Sequence, residues 1–93
     1  MDAAQNPWRE LFARWPAEMA RRGMVVTSFG EQVPFSGFML GGRLLLLERQ
    51  TPNAMGGRTL IVPYENIAGL KLTEPFKPKV FQAMGFEGTL PSR

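Results

Sequence analysis

Apolar positions change their spacing once along this chain, and the change divides it in two. Trp8, Leu11, Phe12, Trp15 and Met19 recur every three or four residues, the period of a single helix face, while Arg9, Arg14, Glu18, Arg21 and Arg22 fall on the other side. Asn6 followed by Pro7 reads as the helix start. An asparagine side chain caps free amide groups, and proline at the first helical position lacks only a donor that has no partner there. Glu10 falls in the first turn, where its charge opposes the positive helix end. Pro16 is expected to kink or split the helix, and Gly23 to end it.

From Gly23 onward, short apolar runs between glycine turns predict five strands, over 24–29, 33–40, 43–49, 58–63 and 66–72. Pro34 suits an edge or an irregular start, and Gly37 in mid-run permits the sharp bend that curls a small sheet. Gly41 and Gly42 make a tight turn into Leu44, Leu45, Leu46 and Leu47. That unbroken run predicts burial on both faces, with the N-terminal helix and its tryptophans as the outer cover. Residues 50–57 read as a polar loop, and 63–65 as a short link, a single helical turn. After Glu74, Pro75, Pro78 and Pro91 are interspersed with Phe76, Val80, Phe81 and Phe86. So many aromatics predict a tail that docks in part, with a short helix over 78–84 ended by Gly85.

The expected organisation is therefore all-β with an N-terminal α-helix: a small, strongly bent, five-stranded open barrel over 1–74 and a partly docked tail over 75–93. With 93 residues and 44% of them hydrophobic, one thin core is available. Neither cysteine nor histidine is present, so no disulfide braces the fold, and the thiol nucleophile, the commonest general base and the usual zinc ligands are missing together. Asp2 is the sole aspartate, and Glu31, Glu48, Glu65, Glu74 and Glu87 are scattered among different predicted elements without a paired spacing. The expectation is a binding or assembling protein with no catalytic residues, no metal and no cofactor. No run reaches the roughly 20 apolar residues of a membrane span, and no basic segment leads into an apolar one near Met1, which predicts no membrane anchor and cytoplasmic residence. A net charge of +3 is compatible with an anionic partner and does not require one.

One family resembles this arrangement. Val33-Pro34-Phe35-Ser36-Gly37-Phe38-Met39 is similar to the second strand of the Sm-like (LSm) proteins, with its bending glycine and following apolar residue. The run Leu44 to Leu47 matches the hydrophobic third strand, and Val62-Pro63-Tyr64-Glu65-Asn66-Ile67 has the spacing of the second Sm motif. The likeness covers the helix through Leu72. It implies an SH3-like barrel whose fourth strand pairs with the fifth strand of the next copy, giving a homo-oligomeric ring with Thr59, Leu60, Ile61, Val62, Ile67 and Leu70 at the interface. It also implies single-stranded RNA as the partner, with Arg43, Tyr64 and Asn66 as candidate contacts: a guanidinium for phosphate and a phenol ring for a base. The family's uridine-binding loops are altered here, reading Leu40-Gly41-Gly42-Arg43 and Pro63-Tyr64-Glu65-Asn66, and Glu65 repels phosphate. A structural module that assembles through its edge strands without nucleic acid is the alternative.

Overall fold

A computed structural model of the chain describes residues 6–49 and 56–91. The elements run α1 (Pro7–Ala13), β1 (Gly23–Thr27), β2 (Gln32–Phe35), β3 (Gly37–Leu40), β4 (Leu44–Glu48), β5 (Thr59–Pro63), a 3₁₀ turn (Tyr64–Asn66), β6 (Ile67–Lys71) and α2 (Pro78–Ala83). The six strands form two antiparallel three-stranded sheets, ordered β2-β1-β6 and β3-β4-β5, which do not close into a barrel. Most of the loop read over 50–57 lies outside the described residues.

The helix starts as its sequence dictates and stops early. Asn6 accepts the Trp8 amide at 2.9 Å, and Pro7 opens the first turn. The predicted helical face reaches Met19, yet α1 ends at Ala13. Proline disfavours the helical conformation in the residue before it and cannot donate, so Pro16 stops the helix rather than kinking it. Trp15 and Met19 are buried all the same. The Trp15 indole donates to the carbonyls of Met19 and Ala20 at 3.1 and 3.2 Å, and this holds the non-helical segment against the core.

The expected second strand is two strands. Phe35 closes β2 opposite Gly23 of β1, and one residue later the Ser36 amide donates to the Glu48 carbonyl of β4 at 2.9 Å. The chain thus passes from one sheet to the other across Ser36. Gly37 has open space where a Cβ would sit, its nearest neighbour being the Glu48 Cβ at 4.0 Å, so its missing side chain is not what makes the bend possible. Gly23 is different: it begins β1 instead of ending a helix, and a Cβ there would lie 2.9 Å from the Lys71 carbonyl oxygen. Pro34 sits on an edge strand, as its lost donor requires.

Four rings make the centre. Phe12 lies 5.5 Å from Trp15 and 4.9 Å from Phe38, and Phe35 approaches Phe38 at 6.1 Å, mostly edge to face. Val25, Val33, Leu45, Leu47, Val62, Tyr64 and Ile67 extend this core across both sheets, and Val80 and Met84 bring α2 and the turn after it onto it. The helix therefore packs on the inner side, against Phe35 and Phe38. That corrects the expectation of an outer cover for the leucine run: Leu45 and Leu47 point inward, Leu44 and Leu46 outward, and Leu44 is exposed.

Candidate functional site

The two loops singled out by the resemblance do meet. Gly41 and Leu44 close the β3–β4 turn with an amide-to-carbonyl bond of 2.9 Å, and a Cβ on Gly41 would lie 2.8 Å from that same Leu44 oxygen. The turn is then clamped from two sides. The Tyr64 hydroxyl donates to the Gly41 carbonyl at 3.0 Å, and the Arg9 Nε donates to it from α1 at 3.2 Å. The Tyr64 amide reaches the Arg43 carbonyl at 3.3 Å.

Each candidate contact has a definite place. Arg43 is exposed in the turn, and Asn66 is half-buried, with its carbonyl accepting from the Ser28 amide at 2.7 Å. Tyr64 is 2% exposed. A ring so enclosed offers no face to a base, and its hydroxyl is spent on holding the turn. Arg9, read from its spacing as a solvated helix residue, is the participant that sequence reasoning missed; nothing in the local pattern marks it, because its partner is a backbone carbonyl 32 positions away.

Burial pushes the Tyr64 phenol above its ordinary value near 10, against a smaller opposing pull from the Arg9 cation. A raised folded-state pKa means that the folded form holds its proton more tightly. Stability from this source is complete below the unfolded value and is lost as pH climbs through the folded one. The urea midpoint is therefore expected to fall above pH of about 10, and to fall less in Tyr64→Phe. Equal losses in the two proteins would show that another group causes them.

Two arginines from the polar side of the N-terminal segment are occupied as well. The Arg21 guanidinium lies 4.7 Å above the Phe38 ring, and Arg22 pairs with Glu74 at 3.3 Å, so these arginines serve the fold. Of the interface candidates, Val62 and Ile67 are buried, and Leu60 and Leu70 are partly buried against the core. Ile61 is exposed, and Thr59 donates to Glu48 at 2.9 Å. What β5 and β6 present is mainly backbone: among the described residues, no backbone hydrogen bond reaches the outer edge of either strand. Beside β6, Trp8, Leu11, Leu70, Leu72, Phe81 and Leu90 line an apolar groove of about 440 Å³. Among the described residues, no helix is long and apolar enough to cross a membrane.

No protein-family model matches the chain, and neither a curated protein nor a solved structure does.

Proposed function

We propose that this protein is a non-catalytic assembly module of the Sm-like type, a strongly bent open barrel in which β5 of one copy pairs with β6 of the next until a ring closes. The open outer edges of β5 and β6 carry this reading. Because β2 and β3 are joined through Ser36, the two sheets amount to one folded ribbon with β6 at one end and β5 at the other. Edge strands left unpaired are templates for another chain unless they are blunted. The edge strand β2 carries Pro34, and α1 lies against β3. In β5, Thr59-Leu60-Ile61-Val62-Pro63, the proline stands at the last position and the rest of the strand carries no charge. A bulge at Ala68, where Val26 pairs with Gly69 but Thr27 pairs with Ile67, limits the regular part of β6 and so favours a short pairing. Head-to-tail contacts of this kind close into rings or run on as filaments.

The burial of Tyr64 weighs against extending the proposal to RNA, since the ring the resemblance would offer to a base is enclosed in the core. Light scattering at micromolar concentration is expected to give a closed multiple of the chain mass. Ala68→Lys, at an exposed position of β6, should return it to the monomer without loss of helix or strand signal. A wild-type monomer, or a variant that assembles unchanged, would overturn the edge reading.

A further inference from the structure

Among the described residues, no helix or strand lies over the outer face of the β3-β4-β5 sheet, where Met39, Leu44 and Ile61 are exposed and Leu46 and Pro63 half-buried. Its register sets three rows across the strands. Met39 lies opposite Leu46 and Leu46 opposite Ile61, Leu44 lies opposite Pro63, and Gly37, Glu48 and Thr59 form the polar row at the far end. Met39 is 69% exposed, Ile61 57% and Leu44 47%. Side chains of this size left in water across three adjacent strands form a contiguous patch, unlike a single scattered leucine.

From this we infer that the face docks on the same face of a second copy, sheet on sheet, with the two β4 strands antiparallel. Charge placement selects that occupant and that direction. Glu48 stands two residues from Leu46 on one side, and Leu44 followed by Arg43 stands on the other. A two-fold axis through Leu46, lying in the interface at right angles to β4, brings each Glu48 over the Leu44 end of the other copy, within reach of its exposed Arg43. The Met39, Leu46 and Ile61 row then meets its own copy in the middle, at the roughly 10 Å spacing of packed sheets, while the Leu44 and Pro63 row lies over the Glu48 and Thr59 end of the partner. A parallel stack would instead set Glu48 over Glu48. The patch is thus complementary to itself, which is what a two-fold contact requires.

The area sets the strength. Three strands about 4.8 Å apart and four or five residues long give a face of roughly 15 by 15 Å, well short of the ~800 Å² per partner in a standard stable interface. One such contact alone is weak. Copies already held together by their edges would present several at once, and the weak contact would then act cooperatively.

This inference does not depend on edge pairing, and the experiment separates the two. Sedimentation of Ala68→Lys, up to about 1 mM, should show a reversible dimer, and adding Met39→Lys should weaken it at least roughly tenfold with an unchanged circular dichroism spectrum. In the same background, Arg43→Glu and Glu48→Arg should each weaken dimerisation several-fold, and the two together should restore it. No dimer, or a dimer indifferent to Met39→Lys, would overturn the docking face. Failure of the double reversal to restore association would overturn the antiparallel arrangement. If Ala68→Lys leaves micromolar assembly intact while Met39→Lys abolishes it, the edge reading fails and the face remains.

Discussion

Phe12→Ala is expected to remove about 3–5 kcal/mol of stability, the range for deleting a buried aromatic side chain. Phe12 is the most enclosed member of the ring cluster, touching Trp15, Phe35 and Phe38 at centroid distances of 5.5, 6.2 and 4.9 Å. It is also the anchor by which a helix of seven residues holds to the sheets, since no other residue within α1 is buried. So short a helix has no independent stability, and removing the ring takes its reason to form with it. A domain of this size has on the order of 5–14 kcal/mol in total, so the variant should be substantially destabilised in urea and on heating. Phe12→Leu keeps most of the volume and should cost much less. A loss below about 1 kcal/mol for the alanine variant would mean that the helix is not needed to complete the core.

Tyr64→Ala should be comparably severe, and its comparison with Tyr64→Phe is the more informative measurement. The alanine change removes a buried ring from the junction of β5 and β6 and should also cost about 3–5 kcal/mol, as for other large aromatic truncations. The phenylalanine change removes only the bond to the Gly41 carbonyl, a loss of about 1 kcal/mol, because Arg9 still donates to the same oxygen. If Tyr64→Phe cost as much as the alanine variant, the hydroxyl and not the ring would be the main support. Chemical denaturation of the three proteins side by side decides between these outcomes.

Where the sequence was readable, one local signal was enough. Asn6 and Pro7 mark the helix start; glycines and apolar runs mark most of the strand boundaries; Pro34 marks an edge; and the aromatics after Glu74 anticipate a tail helix packed on the core. What escaped the reading needed knowledge of distant partners. The period of the helix face runs on through Trp15 and Met19 because both are buried, but the burial comes from a loop pinned by the Trp15 indole. The leucine run looked doubly covered because side-chain identity says that a residue is apolar, not whether any cover exists. Ser36 gave no sign of moving the chain between sheets, while the more conspicuous Gly37 beside it has room for a side chain. At the candidate site, the two loops were singled out by the resemblance, but the inward turn of Tyr64 and the reach of Arg9 were not legible, since both are set by the Gly41 carbonyl, far from either residue in sequence.

The pairing of β1 with β6 has a kinetic consequence. Met24 lies opposite Lys71, so the first sheet cannot be completed until almost the whole strand-forming region has been synthesised and the intervening loop closed. The neighbouring hairpin of β3 and β4 is joined by a short turn and can form early by comparison. Between these two events, a nascent chain carries a formed hairpin whose β4 side awaits β5, while β1 waits for a strand not yet delivered. In a crowded polysome the nearest strand on offer belongs to another nascent copy, and the contact that completes the monomer competes with contacts between chains from the moment of translation.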